Sequence, residues 1–254
     1  PSIEAAAVHV EFNEMALELA QKFWPGPLTL VLPTKPGSNI SKLCSAGLPT
    51  LAVRVPNGET AQSLLNSFDN PIAAPSANRS GHLSPTTADH VAQSLNDSIS
   101  FILDGGSTKV GLESSIVDCS SAVPKLLREG GLSREDLETL VELEIATTAG
   151  NQTSPSSPGQ LLSHYAPSKP IEINARQANF QAGVIAFSDN DLDHSGHVLN
   201  LSPMGDLVEA ASNLFAYLHE MDRRATSEIV VVPIPNHGLG RAINDRLKRA
   251  AEPS

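Results

Sequence analysis

The chain has 254 residues, 40% of them hydrophobic and 18% charged, with a net charge of −11. That is room for one large domain or two smaller ones, with the composition of a folded globular protein. No window approaches the roughly 18 consecutive apolar residues of a membrane helix. The start shows no charged-then-apolar leader. Cys44 and Cys119 are too few for a disulfide framework and have no metal-ligand spacing, and His9, His82, His90 and His164 show none either. A reduced, cytoplasmic protein without membrane contact or a dedicated metal cage is expected. Up to Gly150 there are 9 basic and 17 acidic residues, a balance of −8; from Asn151 on there are 8 and 11, a balance of −3. Such a surface is a poor partner for nucleic-acid phosphates.

In chain order, Met15, Ala16, Leu19, Ala20 and Phe23 fall on one face of a helix over Asn13–Phe23, which Pro25-Gly26-Pro27 stops. Leu28–Leu32 reads as a buried strand with Thr29 its one polar member. Thr50–Val55 is a second strand, Thr60–Phe68 a short helix, and Pro71–Ala74 a third strand. Ser84 caps, and Pro85 opens, a helix that runs to Leu95. Phe101–Leu103 is a strand ended by Asp104-Gly105-Gly106. Ser115–Val117 and Lys125–Arg128 form a hairpin, with Ser120–Pro124 as its turn. Ser133, with Asp136 at the third helical position, caps a helix reaching about Leu143. The polar, Ser/Pro/Gly-rich run Thr147–Gly159 is a linker. Beyond it, Ile171–Ile173, Gly183–Phe187 and Glu228–Val232 read as strands, and Asp206–Asp222 and Arg241–Ala250 as amphipathic helices. The fold class is α/β: a mixed, partly antiparallel sheet, then a small Rossmann-like parallel-sheet domain. Gly238-Leu239-Gly240 lacks the rest of a dinucleotide fingerprint.

Two places hold residues suited to binding. Pro71–Thr87, PIAAPSANRSGHLSPTT, runs from an apolar start into a loop dense in Ser, Asn, Gly and Pro. Its backbone N–H groups and the hydroxyls of Ser76, Ser80 and Ser84 suit a phosphate or a carboxylate, and an ordinary turn has the same composition. Arg54 lies on a strand otherwise made of Leu51, Ala52, Val53 and Val55, so its charge must be paired or face a ligand. Its planar fork matches a carboxylate.

The Pro71–Thr87 loop resembles the signature of the YrdC-like domain of threonylcarbamoyl-AMP synthases. KFWPGPLTLVLP (22–33), LAVRVPNG (51–58), ILDGG (102–106), VGLESSIVD (110–118), LLREGGLS (126–133) and SPGQLLSHYAPSKP (157–170) agree with it in the family's order. The runs NLSPMGDLVEAASNLFAYLHEMD and GLGRAINDRLKRAA are similar to the family's C-terminal domain. The resemblance implies a YrdC-like domain over residues 1–146, a linker or lid over 147–170 and a Rossmann-like domain over 171–254. It also implies that the N-terminal part of the catalytic domain, with a basic segment reaching ATP, lies outside this chain.

By the same resemblance the protein is a nucleotidyltransferase that joins L-threonine, bicarbonate and ATP, with Mg2+ accompanying ATP, into L-threonylcarbamoyladenylate and pyrophosphate. The product passes to a tRNA threonylcarbamoyl-transferase complex, and direct tRNA binding is weak or absent. Carried over residue by residue, Arg54, Ala74 and Ser114 bind threonine, and Thr50, Ser76, Ser84 and Arg128 bind ATP. No catalytic nucleophile is assigned. Asn78 lies in the same loop without an assigned ligand. Tyr165 belongs to a lid or anchors the linker on the first domain. Ser168 stands where the family has an ATP-contacting Asn. The alternatives are a non-catalytic ligand- or RNA-binding remnant of the fold, and a carbamoyl-adenylate domain like those of hydrogenase maturation.

Overall fold

A computed structural model of the chain describes residues 1–146, 164–189, 196–224 and 226–252. In chain order the elements are α1 (Ile3–Ala7), α2 (Glu14–Phe23), β1 (Leu28–Pro33), β2 (Thr50–Val53), α3 (Glu59–Phe68), α4 (Ala88–Leu95), β3 (Ser115–Asp118), β4 (Lys125–Arg128), α5 (Arg134–Glu138) and β5 (Glu144–Ile145). There follow β6 (Ile171–Ile173), β7 (Gly183–Ala186), β8 (His197–Asn200), α6 (Leu207–Arg223), β9 (Ile229–Val231) and α7 (Leu239–Ala251). They fall into two compact units. The described residues of the first come from Pro1–Ala74 and Glu113–Ser157, those of the second from Pro75–Leu112 and Pro158–Ser254. The linker expected at Thr147–Gly159 lies outside the described residues.

The first unit is built on a mixed sheet of order β2-β1-β3-β4-β5. β1 runs antiparallel to β2, with Leu30 opposite Val53, and parallel to β3, with Leu28 opposite Ser115. β3 and β4 are antiparallel, as the hairpin reading expects. The alternation of β1 decides the layering: Leu28, Leu30 and Leu32 are fully buried, and α2 packs Ala16, Leu19 and Ala20 into the same core. Asn13 starts that helix, accepting the Ala16 N–H at 2.8 Å, and its amide donates to the Cys119 carbonyl at 2.9 Å. One side chain thus caps α2 and ties it to the end of β3.

The second unit holds an all-parallel sheet of order β6-β9-β7-β8. β7 is buried along its whole length, as a parallel strand covered on both faces should be. Against it α6 buries Ala210, Ala211, Leu214, Phe215, Leu218 and Met221, one face of the amphipathic helix expected over Asp206–Asp222. Each fully buried large side chain of that stripe contributes roughly 1.5–3 kcal/mol. α7 adds Ile243, Leu247 and Ala250 to the same core. Leu83 and Tyr165 join it from outside the sheet and helices.

Several expected elements take another form. Pro71–Ala74 and Phe101–Leu103 are not strands. They make no ladder with any described strand, and Ile72, Phe101 and Leu103 are exposed; an apolar run without a pairing edge has nothing to hold it extended in a sheet. The helix expected from Ser84 and Pro85 starts later, at Ala88, because Thr87 is its cap and accepts the His90 N–H at 3.2 Å. The helix after Ser133 has its capping box with Asp136 but stops at Glu138. The chain then turns to bury Val141 and Leu143. α1 and β8 were not expected. α1 is a single turn and a half capped by Ser2, and β8 is a four-residue strand whose apolar signal is only Val198-Leu199.

Gly111, in the motif VGLESS, has φ +73°, and a Cβ there would lie 2.2 Å from the Ala211 carbonyl oxygen. Gly37 also has positive φ, +83°, but has open space around it. Gly111→Ala should therefore cost about 2–4 kcal/mol, from strain plus overpacking, while Gly37→Ala should cost only about 1 kcal/mol. Thermal melts of the two variants check this: equal shifts in Tm would show that the close approach to α6 is not what demands glycine at Gly111.

Candidate functional site

In the first unit the candidate residues are organised by the turn Pro25-Gly26-Pro27. The Gly26 carbonyl accepts from Arg54 Nε at 2.9 Å, and the Gly26 N–H donates to the Val55 carbonyl at 2.8 Å. The next carbonyl, that of Pro27, accepts the Ser115 N–H at 2.9 Å. Two successive peptide units of one turn therefore hold Arg54 and the Ser114–Ser115 peptide at the same end of the sheet. Glycine is required at the turn, since a Cβ on Gly26 would sit 2.1 Å from the Phe23 carbonyl oxygen.

Arg54 lies just past the end of β2 and is exposed. Among the described residues no carboxylate pairs with it, and its only hydrogen bond is through Nε, so no described group occupies its two terminal NH2 groups. Thr50, half-buried, opens β2 opposite Pro33. Ala74 is exposed in irregular backbone.

Ser114 is buried and densely held. Its hydroxyl lies 2.7 Å from Thr29 Oγ1 and accepts from Arg128 Nη2 at 3.2 Å. Its carbonyl accepts from Arg128 Nε at 3.0 Å and Nη2 at 2.9 Å. Gly130 presses on it from behind: a Cβ there would meet Ser114 carbonyl atoms at 2.5 and 2.6 Å. Ser115 exchanges bonds with Leu132, Oγ to carbonyl at 2.7 Å and N–H to Oγ at 3.0 Å, so its hydroxyl is structural. The structure thus brings Ser114 and Arg128 into contact and adds Thr29 and Gly26. Their only sequence signals were a lone hydroxyl in an apolar strand and a glycine between two prolines.

In the second unit the signature loop is internally bonded. Ser76 Oγ donates to Asn78 Oδ1, and the Asn78 amide donates to the Arg79 and His82 carbonyls at 2.9 and 3.1 Å. Asn78 therefore shapes the loop. The Gly81 carbonyl accepts the Ala166 N–H at 2.8 Å, and His82 bridges Ala166 as a parallel strand would, which joins the loop to the HYAP motif. Ser84 is buried, and its carbonyl is met by His219 Nε2 at 3.1 Å. Tyr165, expected in a lid or as an anchor of the linker on the first domain, is instead 2% exposed in the core of the second unit against Phe215, with the Arg246 guanidinium 5.8 Å from its ring centre. Ser168 directs both its N–H and its hydroxyl to Asp222 Oδ1, at 2.9 and 2.8 Å.

α4 meets α6 through His90 stacked on His219, ring centres 3.8 Å apart. They border a cavity of about 200 Å³ also lined by His82, Leu83 and Ala166. His90 Nδ1 accepts the Thr86 N–H at 3.3 Å, which favours the neutral ring. Burial, then the neighbouring His219 and Arg223, lower the pKa of His90 to about 4; burial also lowers that of His219. Among the described residues no three His, Cys, Asp or Glu side chains group as a metal cage would need, and no helix is long and apolar enough to cross a membrane.

A mixed five-stranded sheet in one unit and a parallel four-stranded sheet in the other define an α/β protein with a YrdC-like fold, and comparison with known proteins makes the assignment narrower. A family model described as telomere recombination, covering the Sua5, YciO and YrdC proteins, matches residues 1–130, and one described as threonylcarbamoyl-AMP synthase, C-terminal domain, matches residues 132–252. The chain is 36% identical to the Threonylcarbamoyl-AMP synthase of Bacillus subtilis over 94% of its own length and 73% of that protein's. It is 38% identical to that of Pyrococcus abyssi over 95% and 75%. The crystal structure of P. abyssi Sua5 complexed with L-threonine superposes with a TM-score of 0.86 at 37% identity, covering 98% of this chain and 78% of that one. The chain belongs to the threonylcarbamoyl-AMP synthase family.

The histidine pair makes a pH prediction. A histidine whose pKa is lowered by folding takes up its proton more readily when unfolded, so stability is complete above the unfolded value of about 6.5 and falls with pH below it. For His90 the fall should level off near pH 4. Denaturant melts from pH 7 to pH 4 should show this loss, and His90→Gln should remove part of the slope; an unchanged slope would show that the stacked pair does not set it.

Proposed function

We propose that the protein is a threonylcarbamoyl-AMP synthase: a nucleotidyltransferase that condenses L-threonine, bicarbonate and ATP into L-threonylcarbamoyladenylate and releases pyrophosphate. The observation that carries the reading is Arg54, a guanidinium fork oriented by one carbonyl and unpaired with any described carboxylate, at the same sheet end as the Ser114–Arg128 cluster. A carboxylate is the group such a fork is built to hold. The family membership and the relatives named for this reaction support the same reading.

In this reading Arg54, Ala74 and Ser114 hold threonine, and Thr50, Ser76, Ser84 and Arg128 hold ATP. Mg2+ arrives on the nucleotide, keeping phosphate and water oxygens as ligands. No nucleophilic side chain is needed. The threonine amine nitrogen adds to the bicarbonate carbon, whose hydroxyl leaves as water with a proton from the amine, and the resulting carbamate oxygen then attacks the α-phosphorus as pyrophosphate leaves. The protein's part is to align the reactants and stabilise developing charge with Arg groups, hydroxyls and backbone N–H groups. The product is an activated carbamoyl donor for a tRNA-modifying complex. The acidic balance of the chain supports handing it on, with tRNA itself bound weakly if at all, in a cytoplasmic setting.

Conversion of ATP to the adenylate should require threonine and bicarbonate together. Threonine-independent ATP turnover would overturn the assignment, and no turnover with salt-sensitive tRNA binding would favour a non-catalytic reading. Arg54→Lys, which keeps the charge and loses the fork, should raise the threonine Kd about tenfold, the size of one charge-assisted hydrogen bond, and change the ATP Kd less. Titration calorimetry with each ligand checks this; equal losses would remove Arg54 from the threonine carboxylate.

A further inference from the structure

Thr29 is the one polar residue of the buried strand β1, and the family resemblance assigns it no role. Its hydroxyl makes one hydrogen bond among the described residues, to Ser114 Oγ at 2.7 Å. Ser114 Oγ also accepts from Arg128 Nη2 at 3.2 Å. A serine hydroxyl has one proton to donate and two lone pairs to receive with. Arg128 can only donate, so it takes one lone pair. Thr29 has no other described acceptor for its own proton, so its best arrangement is to donate to Ser114 and fill the second. Ser114 is then left with its proton alone, and whatever it meets next must be an acceptor.

The backbone enforces this arrangement. Thr29 stands on β1 and Ser114 immediately precedes β3, and the two strands are parallel neighbours in the register Thr29 opposite Ile116. The Ser115 N–H on the Pro27 carbonyl, the Arg128 fork on the Ser114 carbonyl and the close approach of Gly130 leave the Ser114 peptide little freedom. The remaining freedom is rotation of the hydroxyl, and Thr29 restricts it.

We propose that Thr29 is a positioning residue: with Arg128 it saturates the acceptor capacity of Ser114 and presents the Ser114 hydroxyl as a dedicated hydrogen-bond donor to a carboxylate or carbamate oxygen of the amino-acid substrate. The role rests on the function proposed above. It explains why a buried apolar strand carries a hydroxyl at this one position. It also sets a polarity: the substrate atom that meets Ser114 is an oxygen acceptor, not the ammonium group.

The test uses the full chain with Thr29→Val, which keeps the shape and loses the hydroxyl, and Thr29→Ser, which keeps the hydroxyl. Titration calorimetry with L-threonine should give a Kd about tenfold higher for Thr29→Val, with Thr29→Ser within about threefold of the unaltered chain. The ATP Kd should stay within about twofold in both. A structural role alone would not spare ATP binding or be rescued by serine. If Thr29→Val does not fold, Thr29→Ala reads the same loss. L-Threonine binding unchanged in Thr29→Val, or lost equally in Thr29→Ser, would overturn the role of Thr29 alone. Failure of the unaltered chain to bind L-threonine would overturn the proposed function and this role with it.

Discussion

The first unit depends on the turn Pro25-Gly26-Pro27 and on two consecutive carbonyls within it. One fixes Arg54 at the end of β2; the next fixes the peptide that enters β3. A strand end is ordinarily where a sheet frays, and an arginine there ordinarily samples many rotamers. Here the prolines limit the turn's backbone, and the glycine lets it pass within contact of the Phe23 carbonyl. The cation is thereby oriented by a group that cannot neutralise it. Replacing that carbonyl with a carboxylate would hold the side chain equally well and leave it no charge to offer a ligand.

The same economy governs the Ser114 cluster. Every close neighbour of the Ser114 hydroxyl described above is a hydroxyl or a guanidinium, and its own carbonyl is held by that guanidinium. Cys119, past the opposite end of β3, is fully buried, and burial together with Asp118 pushes its thiol up to about 12, so it stands apart from this cluster and unreactive. Donors and cations without a reactive nucleophile are what a site needs when substrates supply both nucleophile and electrophile.

The regular elements were legible because their signals are local. The amphipathic pattern of α6, the apolar run of β1 and the capping box at Ser133 depend on residues within a turn or two of each other, and each has its counterpart in the structure. The errors fell where a partner distant in sequence decides the outcome. Pro71–Ala74 and Phe101–Leu103 have strand composition, but a strand exists only against another strand, and none of the described strands pairs with them. The start of α4 passed from Ser84 to Thr87 because His90 and His219, the latter 135 residues beyond Ser84, hold the intervening backbone. Arg54 could be singled out from its apolar strand alone. Thr29 and Gly26 could not, since their importance lies in which residues β-pairing brings beside them.

The HYAP segment shows how one residue's commitment changes another's meaning. Tyr165, at φ +65°, turns its ring into the core shared by Leu83, Phe215 and Leu218. Ala166 then pairs with Gly81 and His82 of the signature loop, and Ser168 and Lys169 bind Asp222 near the end of α6. Within five residues the chain is fastened to a core, a loop and a helix end. In this stretch the short Ser168 hydroxyl is committed to Asp222 at 2.8 Å. An asparagine has an acceptor and two donors and could bond Asp222 while keeping a further group for a ligand. A serine can give its single proton to only one partner.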